Sequence, residues 1–143
     1  MDRFIEFASL NWYLFLAFFV VLFVIIGSNL KQRMSGIVSI SSQALLRLSN
    51  DDEAVIIDVR DGSVFKNGHV PASINVPMAD INIKIEALAE KYKTKSVILV
   101  CQTGVRAYQA ASSFKKYTFP AIYTLNGGID NWKQDNLPLS KHK

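Results

Sequence analysis

The feature that most constrains this chain is a long uncharged segment near its amino-terminal end. Residues 7–30 contain no Asp, Glu, Lys or Arg, and residues 12–26 are wholly apolar or aromatic. A helix of more than twenty such residues, rising ~1.5 Å per residue, is long enough for a ~30 Å hydrocarbon layer. We therefore expect one transmembrane helix within residues 1–30, a linker at residues 31–36 and a folded domain at residues 37–143.

The charges beside this segment predict its orientation. Lys31 and Arg33 follow it directly, whereas Arg3 is the only basic side chain before it. Because basic flanks stay on the cytoplasmic side, we expect a single-pass protein of the inner (cytoplasmic) membrane with its C-terminal domain in the cytoplasm. A single cysteine agrees with that reducing compartment. A cleaved signal peptide is the alternative, but its first region should be clearly positive.

The overall charge excludes one class of partner. The net charge of +4 is spread along the chain, and the cluster of Lys91, Lys93 and Lys95 is expected to be a solvated helix end, so we expect no nucleic acid partner. Lys31 and Arg33 instead favour contact with membrane lipid headgroups.

Short apolar runs alternate with helical patterns in the rest of the chain. The runs at residues 54–59, 74–76, 97–100 and 121–125 are typical of strands that are buried on both faces. One intervening helix begins at Ser41 or Ser42, and another is capped by Asp80. The second helix carries one apolar stripe, formed by Ile81, Ile85, Leu88 and Tyr92.

This alternation predicts an α/β domain of three layers. We expect a central parallel sheet of about five strands flanked by helices. Residues 81–85 also alternate like a strand, but the length of the stripe favours the helix. Ligands bind such sheets at the carboxyl ends of the strands, so the residues after each run are the candidates for a site.

Cys101 lies where a strand pattern ends and a helix pattern begins. The helix pattern is formed by Ala107, Ala110, Ala111 and Phe114. Free N–H groups and the helix dipole favour negative charge in the first helical turn, and the thiolate is the reactive form of cysteine. Gly104 allows a positive φ close to an anion, and Arg106 adds a fork of cationic donors. Together these residues favour a nucleophile over a buried structural thiol.

The segment CQTGVRA, from Cys101 to Ala107, resembles the active-site loop of rhodanese domains, Cys-x-x-Gly-x-Arg-Ser/Ala. Three other stretches match that family in the same order, namely DVR at residues 58–60, GHVPASINVP at 68–77, and LNGGI at 125–129 with Trp132 and LPL at 137–139. The resemblance spans roughly residues 37–139. With its leading apolar helix, the chain resembles the single-domain bacterial rhodaneses that are anchored in a membrane.

The resemblance implies a sulfurtransferase. Cys101 would accept a sulfane sulfur from a donor such as thiosulfate or a persulfide, and would pass it to a thiol, cyanide or a protein. Arg106 would orient the anionic donor, and the substrate-binding loop would comprise Gln102, Thr103, Gly104, Val105 and Arg106. The resemblance implies no metal and no cofactor. The tether also makes a membrane protein a candidate partner.

Two other functions stay open. Phosphatases and arsenate reductases of this fold resemble the same loop with five residues between Cys and Arg, whereas four intervene here, and the shorter loop favours sulfur over an oxyanion. A second interpretation is an interaction module that binds other membrane proteins, with catalysis secondary. The intact loop argues against an inactive domain but not against a second role.

The remaining polar residues have supporting roles in this interpretation. Asp58, Arg60 and His69 are expected to fix loops by hydrogen bonds rather than to react. Where the family usually has Pro-Gly-Ala, this chain has an alanine at the middle position, Ala72, which costs backbone freedom. Gln102 lacks the positive charge that some relatives place after the cysteine, which favours a protein donor or acceptor over a small anion.

Overall fold

The computed structural model describes residues 11–34 and 36–141 of the chain, which divides into two compact units, Met1–Gly36 and Ile37–Lys143. The first unit contains helix α1, Trp12–Met34. It continues into the segment predicted to be a linker, because Lys, Gln, Arg and Met at residues 31–34 are all good helix formers.

The predicted transmembrane helix is not demonstrated by this unit. Among residues 11–34 and 36–141, no helix combines the length and the apolar character that a membrane crossing requires. The first ten residues of the predicted span lie outside the described part of the chain.

The second unit is built on a parallel sheet of five strands in the order β1-β5-β4-β2-β3. This confirms the predicted α/β class. The strands are β1 Ile37–Ile40, β2 Ala54–Asp58, β3 Ile74–Asn75, β4 Ser96–Val100 and β5 Ile122–Leu125. β1 was not predicted from the sequence, and it is an edge strand with an exposed Val38.

Among the described residues, four helices and one 3-10 turn lie between these strands, and a fifth helix follows β5. They are α2 Ser42–Asn50, α3 Gly62–Asn67, the 3-10 turn Met78–Asp80, α4 Ile81–Lys91, α5 Val105–Phe114 and α6 Gly128–Gln134. Ser41 caps α2, since its Oγ accepts the N–H of Ala44 at 3.3 Å. Asp80 makes no such cap bond. It forms an ion pair with Lys84 instead, at 3.2 Å.

Two apolar clusters cover the two faces of the sheet. One contains buried residues of α4 and α5, including Ile81, Ile85 and Phe114. The other contains Leu45 of α2 and Trp132 of α6. Alternate strand residues point to opposite faces, so neighbours on β4 separate into different clusters. The domain is therefore the three-layer structure that the alternation predicts.

The sheet places two of the predicted motifs side by side. β2 and β4 are adjacent parallel strands in which Asp58 is opposite Val100. The N–H of Val59 donates to the carbonyl of Val100 at 2.9 Å, just beyond the paired residues. Arg60 and Cys101 consequently leave the sheet at the same carboxyl edge.

Candidate active site

Cys101 is the residue around which this edge is organised. It follows the last residue of β4 and is only 1% exposed. Its Sγ accepts hydrogen bonds from the backbone N–H groups of Gly104, at 3.0 Å, and Ala107, at 3.3 Å. Both donors point at the sulfur from the start of α5. Such donors stabilise a negative charge on sulfur and cost no reorganisation when that charge forms.

Gly104 makes this wrapping of the chain around Sγ possible. It is the N-cap of α5 and has a φ of 97°, in the left-handed region that favours glycine. A Cβ at position 104 would also lie 3.3 Å from the carbonyl oxygen of Leu125. The positive φ predicted for Gly104 is therefore confirmed.

The set of N–H donors differs from the predicted loop in one respect. Gly104 belongs to the predicted segment 102–106, but Ala107 lies beyond it. The helical pattern places Ala107 in the first turn of α5, so its N–H is one of the free donors of a helix start. The sequence carried that signal, although the substrate-binding loop was predicted to end at Arg106.

Helix α6 supports the Cys101 loop from the other side. The N–H groups of Ile129 and Asp130 donate to the carbonyls of Cys101 and Gln102, at 3.0 and 3.1 Å. Gly128 has a φ of 60° and lies so close that a Cβ there would be 2.3 Å from the Cys101 carbonyl oxygen. Gly127 and Gly128, in the LNGGI stretch, thus lie at the start of a helix that fixes the loop backbone.

Asp58 and Arg60 form a buried ion pair behind the loop. Arg60 Nε lies 3.0 and 3.1 Å from the two carboxylate oxygens of Asp58, and Nη2 lies 2.7 Å from Oδ2. Nη2 also donates to the carbonyl of Gly68 at 2.8 Å. The remaining nitrogen, Nη1, donates to the side-chain oxygen of Gln102 at 3.2 Å. The guanidinium thus links the end of β2 to the residue after the cysteine.

His69 makes structural contacts. Its Nδ1 lies 2.9 Å from the carbonyl of Phe65, and its ring stacks on that of Phe65 with centroids 3.8 Å apart. Its backbone forms an antiparallel bridge with Ser140. These contacts join α3 to the C-terminal segment.

The outer part of the loop faces solvent. Thr103, Val105 and Arg106 are exposed, and the ion pairs of the described residues do not include Arg106. Within those residues no group of three His, Cys, Asp or Glu side chains is placed to hold a metal ion. This edge thus contains a buried sulfur that accepts two backbone N–H groups, with the exposed Arg106 on the first turn of α5.

Comparison with known proteins agrees with this geometry. A family model described as the rhodanese-like domain matches residues 41–135. The Escherichia coli K12 protein YibN, which is described as uncharacterised, is 29% identical over 143 residues, all of both chains. The thiosulfate sulfurtransferase GlpE of Shewanella oneidensis is 25% identical over 72% of this chain and 99% of its own.

A solved structure shows the same fold. The thiosulfate sulfurtransferase from Pseudomonas aeruginosa superposes with a TM-score of 0.67 at 22% identity, over 80% of this chain and 22% of the other. At that identity the likeness concerns the fold alone. Taken with the family match over most of the second unit, it shows that the chain belongs to the rhodanese-like domain family.

Proposed function

We propose that the protein is a sulfurtransferase that carries sulfane sulfur as a persulfide on Cys101. The observation that carries the proposal is the pair of backbone N–H groups, from Gly104 and Ala107, that donate to Sγ. A persulfide and a thiolate are both anionic at the terminal sulfur, and fixed N–H dipoles stabilise such charge in a site shielded from water. Relatives named as sulfurtransferases support the reaction class.

The reaction balances without a cofactor. The thiolate of Cys101 attacks the outer sulfur of thiosulfate, the S–S bond of the donor breaks, and sulfite leaves with the electron pair. The resulting persulfide is then attacked at its outer sulfur by a nucleophile such as cyanide. Thiocyanate leaves and the thiolate is restored. This is covalent catalysis with an activated nucleophile.

The four residues between Cys101 and Arg106 support sulfur as the group carried. The chain wraps closely enough around Sγ for donors at positions 104 and 107 to reach the same atom. Arg106, exposed on the first turn of α5, supplies positive charge for an anionic donor.

Steady-state transfer from thiosulfate to cyanide tests the proposal. We expect the full chain to form thiocyanate and Cys101→Ser to form none above the uncatalysed rate. Ser112→Ala, on the exposed face of α5, is the matched control and should retain the parent rate. Equal turnover by Cys101→Ser and the parent would overturn the proposal.

We also propose that residues 1–30 anchor the domain in the inner membrane, with the domain in the cytoplasm. The support is the sequence, in which the uncharged segment begins at residue 7, before the described part of α1. Large apolar side chains of residues 12–26 are exposed along α1, with Phe23 at 79%. A cysteine introduced at Lys143 in the Cys101→Ser chain should react with a membrane-impermeant maleimide only after sealed cells are opened. Labelling of intact cells would contradict the orientation.

A further inference from the structure

Gln102, the residue after the cysteine, is held at both ends of its side-chain amide. Its oxygen accepts from Arg60 Nη1 at 3.2 Å, and its Nε2 donates to the carboxylate of Asp130. Arg60 is buried and ion-paired, whereas Asp130 is exposed in the first turn of α6. The side chain thus connects two elements on opposite sides of the Cys101 loop.

The two partners together specify an amide. Arginine only donates hydrogen bonds and an ionised carboxylate only accepts them. The group between them must therefore accept on one side and donate on the other. A carboxylate at position 102 would face Asp130 with like charge, and an ammonium would face Arg60 with like charge. The amide is fixed in one orientation, with oxygen toward Arg60 and nitrogen toward Asp130.

The backbone beside this amide is fixed as well. The carbonyl of Gln102 accepts the N–H of Asp130, and the carbonyl of Cys101 accepts the N–H of Ile129. Gln102 is therefore tied through side chain and backbone immediately after the sulfur-bearing residue. The direction of the following peptide units, up to Gly104, depends on that anchor.

From this geometry we propose that Gln102 is a positioning residue for sulfur transfer, which acts by holding the loop so that the N–H groups of Gly104 and Ala107 face Sγ. It does not touch the sulfur in the described contacts and acts through those donors. The inference rests on the proposed sulfur transfer and assigns to Gln102 a role in the chemical step rather than in donor binding.

Four variants of the full chain distinguish two effects. One is the loss of the bridge, that is, the hydrogen bonds that join Gln102 to Arg60 and Asp130, and the other is a change of charge at position 102. Gln102→Met removes both hydrogen bonds without changing charge. Gln102→Glu keeps the bond from Arg60 but repels Asp130. Gln102→Glu combined with Asp130→Asn restores the bridge with its second bond reversed, because the new amide donates to the new carboxylate. Gln134→Glu is the control, because it changes an exposed glutamine on α6, the helix that carries Asp130.

Thiosulfate and cyanide kinetics give the first readout. We expect kcat to fall at least about tenfold in Gln102→Met and Gln102→Glu, as for the loss of one charge-assisted hydrogen bond, with KM for thiosulfate within about twofold of the parent. The double variant should recover to within about threefold of the parent. A fall in Gln102→Glu alone, without one in Gln102→Met, would show a charge effect and overturn the proposal. So would a double variant no better than Gln102→Glu.

Alkylation of Cys101 by iodoacetamide gives a readout that does not depend on sulfur transfer. Mispositioned donors stabilise the thiolate less, so both single variants should react at least about threefold more slowly at the same pH, and the double variant should recover. A rate equal to or above that of the parent would overturn the positioning role. If the parent transfers no sulfur, the proposed function fails while the alkylation rates still decide the role of Gln102.

Discussion

Gly128 packs against the backbone of Cys101 so closely that a Cβ at position 128 would lie 2.3 Å from the Cys101 carbonyl oxygen. The contact joins the start of α6 to the residue that follows β4, twenty-seven positions earlier in the sequence. The loop around the sulfur is therefore restricted by α6 as well as by the conformation of Gly104.

Gly128→Ala should therefore damage both stability and the loop. The added methyl group meets backbone atoms that have no room to move, and alanine is strained at a φ of 60°. We expect the free energy of unfolding to fall by about 2–5 kcal/mol, measured by urea titration. Gly36→Ala, at a φ of 70° just before β1 and with nothing within 4 Å of the added Cβ, lacks this clash and should cost less than about 2 kcal/mol. Equal losses in both variants would contradict the close contact.

Ala72 is a position where replacement by glycine should increase the stability of the fold. It is exposed and has a φ of 61°, in the left-handed region where alanine is strained and the family usually has glycine. Ala72→Gly should raise the free energy of unfolding by about 1 kcal/mol, since relief of strain exceeds the added freedom of the unfolded chain. Ala87→Gly, at an exposed position inside α4, should lower it by about 1 kcal/mol. A lower free energy of unfolding in Ala72→Gly than in the parent would show that the strain is absent.

The buried pair of Asp58 and Arg60 should be costly to break. Asp58 is fully buried, and its removal leaves the guanidinium charge with no counter-ion. We expect Asp58→Ala to lower the free energy of unfolding by about 3–5 kcal/mol. The exposed pair of Asp80 and Lys84 is the comparison, and Asp80→Ala should cost less than about 1 kcal/mol. Similar losses at the two sites would contradict the structural role of the buried pair.

Arg106 should affect donor capture and leave stability unchanged. It is exposed on the first turn of α5, so Arg106→Ala should leave the urea midpoint where it is. At thiosulfate concentrations below KM, we expect the rate to fall about three- to tenfold, with a smaller fall at high salt, because a rim charge acts through screened attraction. Lys115→Ala, at the C-terminal end of α5, should change neither the urea midpoint nor the transfer rate. An unchanged transfer rate in Arg106→Ala would show that Arg106 has no role in donor capture.

Local patterns predicted the parts of the structure that depend on local contacts. The stripe of Ile81, Ile85, Leu88 and Tyr92 indicated α4, and the first two of these are buried as expected. The position of Cys101 between β4 and α5, and the positive φ of Gly104, followed from adjacent residues as well.

Other parts of the structure depend on contacts between segments that are distant in the sequence, and local sequence patterns predict such contacts poorly. Gly127 and Gly128, the N-cap and first residue of α6, both have a positive φ, and two adjacent glycines do not by themselves predict a helix start. The link from Arg60 through Gln102 to Asp130 joins two separate loops and helix α6. No spacing rule predicts contacts between residues so far apart in the chain. The sequence therefore predicted supporting roles for Asp58 and Arg60, but not the hydrogen bond between Arg60 and Gln102.

The central claim is that Cys101 carries the sulfur, and the intact mass of the loaded protein tests it most directly. After incubation with thiosulfate and removal of excess donor, the parent chain should gain the mass of one sulfur atom, lost again on treatment with cyanide or a thiol reductant. Cys101→Ser should gain nothing. An unloaded parent chain, or a Cys101→Ser chain that gains the same mass, would contradict the account.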